Sequence, residues 1–160
     1  MSKKQIRILS PNGHLGFAPT KEESFYIGAA TKPDYYCCDS GSDDIGPTPL
    51  GADKCASHYE WQKHDLELML LASREQGVPM IIGSAGDTGS NSRVDMFVDI
   101  IKDLAKKHNL PKFRLAYFYS EVDKNYIKEK MNQGIAIKGL DGRKDLTLEE
   151  LDRTDRIVAV

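Results

Sequence analysis

Residues 81–92 read Ile-Ile-Gly-Ser-Ala-Gly-Asp-Thr-Gly-Ser-Asn-Ser, and the rest of the chain is organised around this segment. An apolar run from Val78 ends at Ile82, and a segment of small residues then leads directly into an amphipathic pattern. That pattern repeats apolar side chains at i, i+3 and i+4 from Val94 to Ala105, which predicts a helix over about 92–108. A strand, a glycine-rich loop and a helix in this order are typical of open α/β sheets that bind ligands at the loop.

Strands and helices are predicted to alternate four times along the chain. Strand-like segments span residues 5–10, 34–38, 78–82 and 113–119, and the last is almost continuously apolar. Such strands are typical of parallel sheets that are covered on both faces. The sequence therefore predicts an α/β fold: an open, mostly parallel, doubly wound (Rossmann-like) sheet with helices on both faces, formed by a single domain over residues 1–160. Capping boxes are predicted where Ser or Thr precedes Glu by three residues, at Thr20/Glu23, Ser57/Glu60 and Thr147/Glu150.

The composition excludes several classes of partner. A net charge of −2 argues against nucleic acid, which requires a basic patch. The apolar runs are too short to span a bilayer, and residues 1–5 lack the apolar core of a signal peptide. We therefore expect a cytoplasmic protein with no membrane partner. Because residues 155–160 begin an apolar segment at the end of the chain, we also expect the N-terminal part of a longer protein, which forms a homo-oligomer or binds a partner subunit.

Three segments are expected to meet beyond the carboxyl ends of the strands, where parallel sheets bind ligands: residues 11–16, 39–56 and 83–91. In the third segment, glycines allow backbone N–H groups to approach an anion closely. The alternative is a tight turn followed by a helix N-cap, which needs no ligand. The candidate substrate-binding residues are Gly83, Ser84, Ala85, Gly86, Thr88 and Asn91.

Two residues are candidates for proton transfer. His14 lies between glycines in the loop after the first strand, and histidine titrates near physiological pH. Asp39 follows the second strand and is the other catalytic candidate. For His14 the alternative is a loop histidine without a catalytic role.

Aspartates in the same loops predict a binding site for a hard divalent cation. Asp39, Asp44 and Asp87 supply the oxygen ligands that Mg²⁺ or Mn²⁺ prefers. The alternative is a solvated acidic loop with Asx-turns. The first turn lacks a full G-x-G-x-x-G pattern, so a nicotinamide cofactor is not favoured.

Taken together, three segments resemble the N-terminal half of the acyclic terpene utilisation (AtuA) family. They are IRILSPNGHLGF, DYYCCDSGSDDIGP with a following LGADK, and HDLELMLLASREQGVPMIIGSAGDTGSNSRVD. Asp87 and Ser90 stand where the family loop carries glycines. The resemblance implies an α/β fold and a role in the catabolism of carboxylic acids or acyl thioesters. The second family motif is kept at Asp39, Ser42, Asp44, Gly46 and Pro47.

These observations favour a cytoplasmic catabolic enzyme domain that acts on a small carboxylic acid or acyl thioester by lyase or hydratase chemistry. In that hypothesis His14 or Asp39 moves a proton, and loop N–H groups hold a carboxylate or enolate oxygen. One alternative is a non-catalytic module that binds a ligand or a subunit of a larger enzyme. A second alternative is a divalent-metal-dependent hydrolase.

Overall fold

The computed structural model describes residues 5–41 and 47–158, which divide into two compact units, Met1–Tyr119 and Ser120–Val160. The first unit contains strands β1 (Ile8–Leu9), β2 (Tyr35–Gly41) and β3 (Met80–Asp87). Its helices are α1 (Glu22–Ala29), α2 (Pro47–Ala52), α3 (Tyr59–Gln76) and α4 (Asn91–Lys107). Within the described ranges, no helix is both long and apolar enough to cross a membrane.

The three strands form one parallel sheet in the order β1-β2-β3, which confirms a mixed α/β fold. Strand β3 was predicted to end at Ile82, but it continues to Asp87. Its register with β2 shifts between the pairs Asp39–Gly83 and Gly41–Asp87, so the glycine-rich segment forms an irregular strand end rather than a free loop. The N–H group of Gly86 donates to the buried hydroxyl of Ser40, which holds this irregularity against β2.

The described helices cover one face of the sheet. Tyr36 and Cys38 of β2 are buried in a core with side chains of α1, α3 and α4. Ile8 and Ile81 belong to the alternate face, and they remain 62% and 52% exposed. This alternation follows from strand geometry, because successive side chains point to opposite faces.

The predicted fourth strand is wrong. Residues 110–120 form no helix or strand, although residues 113–119 are nearly all apolar. Tyr117 and Phe118 are more than half exposed, so apolar character alone did not place this segment in the sheet. The Tyr119 hydroxyl donates to Asp95 at 2.6 Å, and this hydrogen bond raises the pKa of Tyr119 to about 12.

The second unit is small and contains a two-stranded antiparallel sheet. Strand β4 (Glu121–Val122) pairs with β5 (Ile157–Val158), and between them lie α5 (Lys124–Asn132), a 3₁₀ turn (Leu140–Gly142) and α6 (Leu148–Arg153). The predicted capping box at Thr147 and Glu150 is confirmed, with both reciprocal hydrogen bonds present.

The other two predicted capping boxes are wrong. Helix α1 begins after Lys21 and α3 after His58, and neither helix has a side-chain cap. The Thr20 N–H group donates instead to Asp65 at 2.8 Å. Ser57 is likewise used elsewhere, because its N–H and hydroxyl groups both donate to Asp87.

Candidate functional site

A histidine from the loop after β1 meets an aspartate at the carboxyl end of β3. His14 Nε2 lies 2.8 Å from Asp87 Oδ1. The Asp87 side chain is fully buried, whereas the His14 side chain is 18% exposed. One member of the pair is therefore fixed inside the protein, and the other reaches solvent.

The Asp87 carboxylate is held by three further donors. Its Oδ2 accepts the backbone N–H groups of Ala56 at 2.6 Å and Ser57 at 2.9 Å. Its Oδ1 accepts the Ser57 hydroxyl at 3.0 Å. Because a carboxylate oxygen is an acceptor, we assign the His14 ring proton to Nε2. In the neutral ring Nδ1 is then the nitrogen that can accept a proton from a ligand.

This cluster differs from a serine–histidine–aspartate triad. Ser57 Oγ lies 3.1 Å from His14 Nε2, the same nitrogen that contacts Asp87. In a triad the nucleophile and the carboxylate contact opposite ring nitrogens. The geometry therefore favours Ser57 as a residue that positions Asp87 and His14, not as a nucleophile.

The loop that carries His14 is anchored by Asp65, which the sequence analysis missed. Asp65 is fully buried and accepts the Asn12 side-chain amide at 2.8 Å and the Gly16 N–H at 3.1 Å, in addition to the Thr20 N–H. These contacts hold residues 12–20 against α3. The sequence contains a pattern that could have revealed it, because Gln62, Asp65 and Met69 share the helical spacing of the core face.

Residues 53–57 are fastened to the start of α4. Asp53 accepts the hydroxyl groups of Ser90 at 2.6 Å and Ser92 at 2.7 Å. The Arg93 guanidinium donates to the Asp53 carbonyl oxygen at 2.5 Å. The Cys55 thiol donates to the Gly86 carbonyl at 3.1 Å, and burial raises its pKa. The fastening therefore brings Cys55, Ala56 and Ser57 against the end of β3.

The structure does not join the second catalytic candidate to the first. Asp39 is exposed, and its Oδ1 accepts the Gly41 N–H at 2.9 Å. It lies opposite Gly83 in the sheet, and its neighbour Ser40 points into the core. None of the contacts found within residues 5–41 and 47–158 links the Asp39 carboxylate to His14.

Two N–H groups of the glycine-rich segment have partners within the protein. Gly86 donates to Ser40, and Gly89 donates to the Ala85 carbonyl at 3.0 Å. Thr88 is buried and its hydroxyl donates to Ser90. The other candidates lie in or beside these elements: Gly83 and Ser84 in β3, and Asn91 as the first residue of α4.

The predicted cation ligands are only partly described. Asp44 lies outside the described residues, and Asp39 and Asp87 make the separate contacts given above. The described part of the chain contains no group of three His, Cys, Asp or Glu side chains placed to hold a metal ion.

Compared with family models, curated proteins and solved structures, the chain gives no significant match. The resemblance to the AtuA family rests on its motifs and stays a prediction.

Proposed function

We propose that the unit Met1–Tyr119 is an enzyme domain that moves a proton on a small carboxylic acid or acyl thioester, in lyase or hydratase chemistry. The observation that carries the proposal is the 2.8 Å contact between His14 Nε2 and the fully buried Asp87. A buried carboxylate that orients a partly exposed imidazole is the arrangement by which enzymes prepare a general base.

In this proposal Nδ1 of His14 accepts the proton from a carbon next to the carbonyl, or from an attacking water. Asp87 then stabilises the imidazolium through its hydrogen bond with Nε2, and Ser57 keeps the carboxylate in place. General acid–base catalysis of this kind contributes about 10²–10⁴-fold to rate. The substrate class is supported by the motif resemblance, which implies catabolism of acids and acyl thioesters.

The geometry favours proton transfer over metal-dependent hydrolysis. Three protein N–H and O–H groups already donate to the oxygens of Asp87, so a cation there would have to displace them. A divalent cation such as Mg²⁺ or Mn²⁺ at Asp39 and Asp44 stays a prediction. We also propose that the protein acts in the cytoplasm, as a homo-oligomer or with a partner subunit, and its three free cysteines agree with a reducing compartment.

We propose further that the sheet belongs to a doubly wound arrangement, in which another layer covers the face that carries Ile8 and Ile81. Both side chains are more than half exposed. Parallel sheets are normally covered on both faces, which supports this arrangement.

The test of the function is hydrogen–deuterium exchange at C2 of butyrate and butyryl-coenzyme A, followed by proton NMR in D₂O. Hydration of crotonyl-coenzyme A is followed in parallel. We expect His14→Gln to lower the rate at least 100-fold. His64→Gln is the matched control, because His64 Nε2 contacts only the Thr20 carbonyl among its described partners and stands outside the cluster.

Two outcomes would contradict the proposal. Equal rates for wild type and His14→Gln would remove His14 from the chemistry. Tight binding of these compounds without exchange or hydration would instead favour the non-catalytic binding module.

A further inference from the structure

Gln62 is a buried amide that forms no regular hydrogen bond with the described residues. It lies in the first turn of α3 and is 0% exposed. Neither its Nε2 nor its Oε1 has a hydrogen-bond partner anywhere in the described chain. A buried polar group without a partner costs about 1–3 kcal/mol, so native proteins seldom keep one without a use for it.

The amide lies among the three segments that form the site. A Cβ atom at Gly16 would approach Gln62 Cγ to 2.3 Å, so the side chain lies directly against the loop of His14. Gln62 also interacts with the Cys55 thiol, and this weak hydrogen-bonding interaction lowers the pKa of the thiol against the rise that burial causes. Cys55 in turn donates to the carbonyl of Gly86, next to Asp87. Gln62 therefore lies between the loop that carries His14 and Cys55, whose thiol contacts the residue next to Asp87.

Arg93 is a second donor at the same place: its Nη2 donates to the Asp53 carbonyl, but its other two nitrogens have weak partners. Its Nη1 faces two sulfur atoms, Cys55 Sγ at 3.6 Å and Met96 Sδ at 3.9 Å. Its Nε is buried without a hydrogen bond to any described residue, and Asp53 Oδ1 lies 3.6 Å away. Sulfur is a weak acceptor, so the guanidinium retains the capacity to bind a stronger one.

We propose that Gln62 and Arg93 form a subsite, beside Cys55, that binds the carboxyl or acyl carbonyl group of the ligand. This inference rests on the proposed function and names the residues that recognise its substrate class. The amide donates Nε2–H to one ligand oxygen, and its Oε1 accepts from a ligand hydroxyl or a bound water. Arg93 donates to the same oxygens and offsets their negative charge.

The subsite explains why the free protein keeps an unfavourable amide in its core. A group that gains its hydrogen bonds only when the ligand binds lowers the stability of the free protein and raises selectivity for a polar ligand. Gln62→Met has nearly the same shape and no polar group. It should therefore leave the stability unchanged or raise it, while it weakens binding.

The test compares wild type, Gln62→Met and Gln76→Met by urea unfolding and by calorimetry with butyrate and butyryl-coenzyme A. Gln76 is the control, because it lies at the end of the same helix, and its Nε2 donates to the Ala29 carbonyl at 3.1 Å although its Oε1 is buried without a partner among the described residues. We expect Gln62→Met to bind at least tenfold more weakly with an unchanged or higher midpoint. Gln76→Met should lower the midpoint and leave binding intact.

The outcomes separate this subsite from the function on which it rests. Equal affinities for wild type and Gln62→Met would overturn the subsite and leave the proposed function standing. A lower unfolding midpoint for Gln62→Met would also overturn it, because the amide would then have stabilising partners in the free protein. Failure of wild type to bind either compound would overturn both proposals. A response to butyryl-coenzyme A but not butyrate would assign the subsite to the thioester carbonyl, and the reverse would assign it to a free carboxylate.

Discussion

Replacing Asp87 with Asn removes one negative charge and exchanges one acceptor oxygen for an NH₂ donor, without adding backbone strain. Asp87 has a φ of 69°, a left-handed conformation that Asn also adopts readily. The Asn oxygen can keep the two backbone N–H groups, but its NH₂ group then faces Ser57 and His14. Both must become acceptors or lose their hydrogen bonds, so the proton of His14 should move from Nε2 to Nδ1.

The size of the effect follows from the four donors around the carboxylate. A hydrogen bond to a charged group contributes about 1.5–3 kcal/mol, whereas a neutral one contributes about 1 kcal/mol. The substitution should weaken the hydrogen bonds from the two backbone N–H groups and disrupt those from the Ser57 hydroxyl and His14. We therefore expect the free energy of unfolding to fall by about 2–4 kcal/mol. The exposed Asp99→Asn is the control, and we expect its effect to stay within about 0.5 kcal/mol.

Urea unfolding at pH 7 measures the stability, and nitrogen-15 NMR of the imidazole ring identifies which nitrogen carries the proton. We expect a lower midpoint for Asp87→Asn and a change of the His14 tautomer. An unchanged midpoint together with an unchanged tautomer would refute the view that Asp87 orients His14.

Two further predictions concern stability in the first unit. Gly86→Ala should lower the free energy of unfolding by about 2–3 kcal/mol, because Gly86 has a φ of +61° and the new Cβ would lie 3.0 Å from a side-chain atom. Gly77→Ala is the control: Gly77 has a φ of +67° and open space around it, so this substitution should cost only about 1 kcal/mol in the same urea titration. Equal losses of stability for the two variants would contradict a steric clash at Gly86. Burial tends to raise the pKa of Glu67, but hydrogen bonds from Lys107 and His108 outweigh it and lower that pKa below 4.5. A carboxyl group whose pKa is lower in the folded than in the unfolded protein stabilises the fold at pH values above its unfolded pKa. Glu67→Gln should therefore reduce the free energy of unfolding at pH 7, and the difference from wild type should fade as the pH falls below 4.5. A difference that persists at pH 2 would contradict this.

The sequence predicted the elements whose causes are local. The period of apolar residues located α4, and the box at Thr147 and Glu150 predicted a real helix start, because these interactions lie within a few residues of each other. The same pattern failed at Thr20 and Ser57, because residues far along the chain compete for their groups. A buried carboxylate offers Ser57 stronger hydrogen bonds than its own helix does, and spacing in the sequence does not reveal that competitor.

The site shows the same division. His14 and Asp87 were each identified from loop position and residue type, but with different roles, a base and a cation ligand. Their contact spans 73 positions of the chain, and it depends on how far β3 continues. Asp65 and Gln62 were missed because a polar residue on a helix is usually exposed. Both are buried because the loop of Gly16 packs against α3, although their spacing with Met69 already matches the core face of that helix.

The contacts of residues 53–57 determine when this part of the protein can fold during synthesis. Its partners, Asp87, Ser90 and Arg93, are synthesised 30 to 40 positions later. A nascent chain that has emerged only as far as α3 can form that helix, but the segment in front of it has nothing to bind. The cluster of His14, Ser57 and Asp87 can therefore form only after β3 and the first turn of α4 have left the ribosome.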